Sequence, residues 1–481
     1  MAVHDHSASA SIPSSTGEAL YKLPSTFLPF SLDGASWWYT TAAVLLSLLV
    51  LEQTVYRYKK RHLPGDAFTI PIIGKFADST KPTMAGYMKQ WQSGALSALS
   101  VFNIILAKLL NSPNHAEPCL VYSAKVILRP ENWVFLTGKT HVDYRRSLNI
   151  LFTRRAIGMY VGIQDSITRE HFRTWPATSK REACGSTDHD DCSFPEHGHL
   201  SSRLLWKPYS SSCYAGNQRQ ILGHHSSARA CQFPLCATWH EGVQAKQAAN
   251  VAMEWLRLAA RNSKIAIANG AEPTCLIDEW MRICADPNYK GRKDFSDDEI
   301  SMVVFSFLFA SQDAMSSGLI FGFQHLADHP ETRVRQGNFD SPLTIELMDQ
   351  MPYLQAVVKE SMRVKPPVTM VPYKTTKAFP ISEDYTVPAN SMVIPSFYNS
   401  LHDPNSANMN PKNYLVWGSG PHRCIGLEYA MMNMALVLAT AAVMFDWEHE
   451  ITPKVMRLSA IIATLFPRDG CRLKLTPRTN A

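Results

Sequence analysis

Trp417-Gly418-Ser419-Gly420-Pro421-His422-Arg423-Cys424-Ile425-Gly426 sets one cysteine between glycines, beside a histidine and an arginine, and an apolar run follows it. Glycine lets the backbone turn where a side chain would clash. A thiolate in so tight a loop makes a metal ligand when the loop shields the sulfur and aims N–H groups at it. A buried structural cysteine in a Gly-rich turn is the alternative reading of the same residues.

These ten residues resemble the haem-binding loop of cytochrome P450 enzymes, Phe-x-x-Gly-x-(Arg/His)-x-Cys-x-Gly. Trp417 takes the aromatic place, Gly420 the first glycine, His422 the basic place, Cys424 the ligand and Gly426 the last glycine. Five matched positions at fixed spacing make a specific signal. The resemblance implies a P450 fold, mainly α with a small β part. It implies haem b with Cys424 on the iron, and His422 and Arg423 neutralising haem propionates. It also implies O2 as co-substrate and electrons from NADPH through a cytochrome P450 reductase.

The 481 residues are 46% hydrophobic, ample for a sizeable core. A net charge of +6 is small for this length, and no basic run makes a nucleic-acid stripe, so no nucleic-acid partner is expected. Ten cysteines without repeated Cys-x-x-Cys pairs are not a disulfide scaffold; they suit a reduced, cytosol-facing catalytic part.

Residues 1–36 read as a polar, disordered leader. Residues 37–56 read as a single membrane-anchor helix: an aromatic trio, Trp37-Trp38-Tyr39, then an apolar run with one charge, Glu52. The basic cluster Arg57 to Arg61 suits the cytoplasmic side, and 57–71 reads as a basic, Pro-containing hinge. A cleaved signal peptide or a buried core helix are the alternatives; the long leader and the lack of a small-residue cleavage site argue against the first. Residues 72–481 are then expected to be the catalytic domain, which the resemblance implies lies on the cytosolic face of the endoplasmic reticulum membrane.

Helical spacing is expected over 83–113 and 131–175. His141 and Arg145, four apart, share a helix face. The resembled family carries Trp-x-x-x-Arg here, holding a haem propionate; a solvated basic face is the other reading. Residues 181–245 hold five of the ten cysteines and six of the 17 histidines, with abundant serine and no apolar periodicity. None of the spacings matches a zinc module, and the resemblance fails over 181–242.

Ser296 and Glu299 form a capping box that opens a long apolar helix, closed before Pro330. About 30 residues make a rod of about 45 Å. Its centre reads Phe309-Ala310-Ser311-Gln312-Asp313-Ala314-Met315-Ser316-Ser317. A buried acid in so apolar a helix is costly without partners. The family has Ala-Gly-x-(Asp/Glu)-Thr here, over the haem. Asp313 matches the acid that delivers protons, Ala314 replaces the threonine and Ser311 the glycine. Ser311, Ser316, Ser317 or a water must then supply the hydroxyl. A satisfied core aspartate is the bland reading of Asp313.

Glu360 and Arg363 face each other at i and i+3. In the family this pair holds an arginine from a later loop, yet residues 405–416 contain no arginine and the stretch is shorter than expected. Residues 366–372 read as extended chain, and 385–395 as a hairpin. Thr464–Pro467 reads as a turn reaching the pocket. The resemblance assigns Phe309, Thr369, Met370, Val371 and Leu465 to the substrate pocket.

Several blocks are similar to one fungal group, the sterol 22-desaturases of ergosterol synthesis: 305–317, 365–373, 396–404 and 445–449. That group also lacks the threonine at 314. It implies a C-22 desaturase introducing a 22,23 double bond into a sterol. A different sterol hydroxylase or demethylase, or a haem- or sterol-binding protein without turnover, are the alternatives; the 181–242 and 405–416 stretches motivate the last.

Overall fold

A computed structural model describes residues 34–61, 115–120, 122–182, 239–329, 341–369, 371–380, 386–402, 414–449, 458–461, 464–467, 471 and 473–478. The leader before Gly34, the hinge beyond Arg61, the helices read over 83–113, residues 183–238 and 405–413, and Met370 lie outside them.

Helix α1, Gly34–Lys60, belongs to an N-terminal unit distinct from the rest. Its apolar part, Trp37–Tyr58, is 22 residues with none of it buried. At 1.5 Å per residue that is about 33 Å, enough to cross a bilayer core of about 30 Å. Three of its hydroxyls bond within the helix: Thr40 donates to the Trp37 carbonyl, Ser47 to Ala43 and Thr54 to Val50. Such back-bonding is what lipid requires of polar groups. The helix runs further than 37–56, because Arg57, Tyr58 and the lysines continue its ladder past the apolar run.

Among the described residues, the second unit begins with β1 (Ala116–Pro118), α2 (Tyr122–Leu128), α3 (Gly138–Asn149) and α4 (Arg154–Glu182). Helices α5 (Trp239–Ala268), α6 (Leu276–Ala285), α7 (Asp297–Asp328), α8 (Ile345–Asp349) and α9 (Pro352–Val364) follow. Then come β2 (Tyr373–Thr375), β3 (Phe379–Pro380), β4 (Thr386–Val387), β5 (Met392–Val393) and α10 (Phe397–His402). The chain closes with α11 (Leu427–Met444), β6 (Phe445–His449), β7 (Leu458–Ile461), β8 (Thr464–Pro467) and β9 (Leu473–Pro477).

The sheets are small and antiparallel: β1–β2–β5, β3–β4, β6–β9 and β7–β8. Residues 385–395 do not form the expected hairpin. Val387 pairs with Phe379 in one sheet and Val393 with Tyr373 in another. The turn between them carries Asn390 at φ 63°, a left-handed position that asparagine tolerates. The 464–467 turn is likewise a strand, paired residue for residue with β7.

Helix α7 organises this unit. Ser296 and Glu299 close the capping box as read from the sequence. Asp297, Asp298 and Glu299 place three acids at the positive end of the helix dipole. Lys264 of α5 meets Asp297 at 2.7 Å and Arg292 meets Glu299 at 2.6 Å. Towards its start, Ile300, Val303, Val304, Phe307 and Leu308 join a core with Trp133, α4, α5 and α6. Towards its end, Met315, Leu319, Phe323 and Leu326 join a second core with α4, α9 and α11.

The second core depends on close approach. A Cβ at Gly318 would lie 2.7 Å from Met434 Sδ, and one at Gly322 would lie 3.0 Å from Leu438 Cδ1. Both contacts have the same offset of 116 residues (434 − 318 and 438 − 322), so α7 and α11 run side by side in the same direction. Carrying that register back puts Gly426 about level with Ala310. The cysteine loop and the centre of α7 therefore lie at the same end of the helix pair.

Candidate active site

Between its two cores, α7 opens. Residues 309 and 311–314 are half-buried and Ala310 is exposed, while the turns on either side are mostly buried. Phe309, Ser311 and Asp313 all fall in this window. Ser311 donates back to the Leu308 carbonyl at 3.3 Å. Ser316 and Ser317 lie just past the window and are buried.

The cysteine loop is built by its own backbone. Gly418 and Gly420 stand at φ 68° and 71°, which a side chain disfavours. The Cys424 amide donates to the Trp417 carbonyl at 2.8 Å, and Arg423 to Gly420 at 3.1 Å. Helix α11 then takes over, with Ala430 donating to Gly426 at 2.8 Å. The Cys424 side chain is accessible, yet desolvation by surrounding protein pushes its thiol up. The Gly426 N–H, Arg145 and Arg423 pull the other way, towards thiolate.

Helix α3 delivers His141 and Arg145 to this loop together. Arg145 donates to the Arg423 carbonyl. The His141 ring stacks on His422, centroids 4.0 Å apart. On its other side lies Trp133, parallel within 7° at 6.1 Å. The Trp133 indole donates to Ser306 on α7 at 2.9 Å. A continuous stack thus joins the loop to the central helix. Phe152 makes a second link, edge-on to Phe307 of α7 and to Tyr429 of α11.

Burial, with His141 and Arg145 beside it, pushes His422 down to about 4, and burial lowers His141 too. Burial and the neighbouring His141 and Arg145 thus disfavour the charged form of His422, while no carboxylate among the described residues lies beside it. The charge at the loop comes from Arg145 and Arg423.

Glu360 and Arg363 pair as read, through two bonds of 2.9 and 2.7 Å. A third Arg363 N–H donates to the Leu401 carbonyl of α10 at 2.9 Å. Tyr414 reaches back to the same helix, donating to the Lys359 carbonyl at 2.9 Å. These bonds tie α9 to both ends of the segment leading into the cysteine loop. Val368 bridges to Thr464, and the Leu465 amide donates to Pro367 at 2.9 Å. Thr369 is buried and its carbonyl accepts from Phe397. Val371 packs instead with Ala116 and Tyr373, in the core beside the β1–β2–β5 sheet.

The cytochrome P450 family profile matches residues 243–474. The C-22 sterol desaturase ERG5A of Gibberella zeae is 34% identical, over 92% of this chain and 92% of its own. The cytochrome P450 monooxygenase oblE of Emericella variicolor is also 34% identical, over 92% of this chain and 94% of its own. The chain belongs to the cytochrome P450 family. The retinoic-acid-bound cyanobacterial CYP120A1 shares the fold with a TM-score of 0.69 at 19% identity, covering 86% of this chain and 99% of that one.

A cytochrome P450 carries haem iron and draws NADPH-derived electrons through a reductase. The residues of this P450 fit that group. Cys424 offers an accessible sulfur, with an N–H and two cations favouring its ionised form. Arg145 is lowered by burial and by the Arg423 charge beside it, although Cys424 favours its cationic form. A carboxylate between the two arginines relieves their repulsion, and would raise the neighbouring histidines. Such a carboxylate is what haem propionates bring. Sequence reading missed Trp133, Ser306 and Tyr414, because their partners are 173 and 55 residues away along the chain and no short motif announces such pairs.

Proposed function

We propose that this cytochrome P450 is a sterol 22-desaturase of ergosterol biosynthesis, held at the endoplasmic reticulum membrane by α1 and served by cytochrome P450 reductase. The observation that carries the reading is the window at 309–314: one carboxylate, Asp313, in the opening of an otherwise buried helix, followed by Ala314 and not by a hydroxyl residue. The similarity to a relative that bears the name C-22 sterol desaturase supports it.

The overall conversion balances as follows. The sterol –CH2–CH2– unit, O2, two electrons and two protons become –CH=CH– and two waters. Haem iron, when bound, supplies the oxidising power that takes the two hydrogens. Cys424 is the residue to hold it, with Arg145 and Arg423 on its carboxylates and His141 and His422 donating N–H beside them. Trp417, Gly420 and Gly426 shape the loop. Asp313 would pass protons inward, with Ser311 and Ser316 or a water as relay. Phe309, Thr369 and the β8 strand around Leu465 would form the wall against the sterol side chain.

A second reading is hydroxylation, favoured by the equally similar relative that is named only a monooxygenase. Incubation of a 22-saturated sterol with the protein, reductase and NADPH separates them by mass. Loss of two hydrogens supports desaturation. Gain of one oxygen supports hydroxylation. Sterol binding without any product makes the chain a binding protein.

A further inference from the structure

Ser317 is fully buried on α7, and its hydroxyl donates to the carbonyl of Leu465 in β8. Asp313 and Ser317 are four residues apart, so they lie one above the other on a single helix face. The backbone of Leu465 is gripped from two sides. Its carbonyl takes the Ser317 hydroxyl, and its amide donates to Pro367 at 2.9 Å. Next to it, Thr464 bridges to Val368. Two segments distant in sequence, 367–369 and 464–466, are thus joined to each other and pinned to α7 one turn beyond Asp313.

We propose that Ser317 is a positioning residue that fixes the depth of the sterol side-chain pocket, and so which carbons lie beside Asp313. Resting on the sterol reading above, the inference adds the strut that sets regiochemistry. A helical turn is about 5.4 Å, or about four carbons of an extended alkyl chain. Strand β8, held at that distance with fully buried Leu465 as its anchor, is a stop for the end of the side chain. Dehydrogenation of one carbon pair needs the chain to stop in one place. Without the strut, β8 keeps its pairing to β7 but loses its tether to the helix.

The test compares Ser317→Ala with Ser301→Ala in the haem-loaded full-length protein. Ser301 is also fully buried on α7, but its hydroxyl bonds only to the Asp298 carbonyl of its own helix. Ser317→Ala is expected to speed hydrogen exchange in the 458–467 hairpin about fivefold, the equilibrium factor of one net hydrogen bond. It should weaken sterol binding, read as the haem spin-state change, by a similar factor. It should also spread product over neighbouring side-chain carbons, with the carbonyl-complex spectrum unchanged. Ser301→Ala should do none of these. If Ser317→Ala does not fold, Ser317→Cys, which keeps the volume and a weak donor, carries the same comparison. Unchanged exchange in the hairpin refutes the strut. Faster exchange with an unchanged product ratio refutes its role in regiochemistry. If the unmutated protein shows no response to a 22-saturated sterol, the sterol reading fails, and the exchange measurement still decides the strut.

Discussion

Gly318 and Gly322 let α7 lie against α11, and replacing each with alanine measures how closely. At Gly318 the new Cβ falls 2.7 Å from Met434 Sδ and 3.6 Å from Pro367 Cγ. Met434 is 2% exposed, so it has no solvent to move into. Alanine gains about 1 kcal/mol of helix propensity over glycine, while overpacking a filled core costs about 1–3 kcal/mol. Gly318→Ala should therefore lose about 1 kcal/mol net. At Gly322 the contact is 3.0 Å to Leu438 Cδ1, which needs only a few tenths of an ångström. There gain and cost should cancel to within about 0.5 kcal/mol. The sign is the sharper test. In a Met434→Ala background the clash is gone, and Gly318→Ala should stabilise by about 1 kcal/mol. Calorimetric unfolding of the haem-loaded proteins side by side reads the difference; for a unit of this size about 1 °C corresponds to 1 kcal/mol. A Gly318→Ala protein more stable than its parent, with Met434 intact, would refute the close approach and the register drawn from it.

Other outcomes follow from single contacts. Tyr414→Phe removes the bond to Lys359 and should cost about 1 kcal/mol, seen as earlier loss of the Soret band on heating; an unchanged melting curve counts against Tyr414 as a tie. Burial pushes His325 down to about 4 from 6.5, and its Nδ1 sits 2.8 Å from Ser361 Oγ. The unfolded chain takes the proton first, so this stability is full above pH 6.5 and lost as pH falls towards 4. The window is 2.5 units (6.5 − 4), worth about 3 kcal/mol at about 1.4 per unit, and His325→Gln should flatten it in an acid-unfolding series. Asp313→Asn should keep sterol binding, consume oxygen without product and slow turnover by about 10²–10⁴-fold. Unchanged turnover would make Asp313 a structural aspartate.

The parts of the site that were legible in the sequence are those written in a few consecutive residues. Gly418, Gly420 and Cys424 are a local backbone statement, and so are the Ser296–Glu299 box and the Glu360–Arg363 pair. Long-range partners were not legible. The 385–395 stretch alternates like a hairpin, but its two arms pair with different strands, and alternation names no partner. His141 and Arg145 read as a cationic face. The structure sets His141 in a stack with nearby Trp133 and with His422, which comes from a segment 281 residues further on (422 − 141). Gly318 and Gly322 read as weak points of an apolar helix until Met434 and Leu438 are set against them.

The central claim is that Cys424 presents a thiolate to haem iron. The absorbance of the reduced, carbon-monoxide-treated protein tests it most directly. A Soret band shifted well to the red, and lost in Cys424→Ala, is the predicted result. An unshifted band in the unmutated protein, or a shifted band that survives in Cys424→Ala, would contradict it.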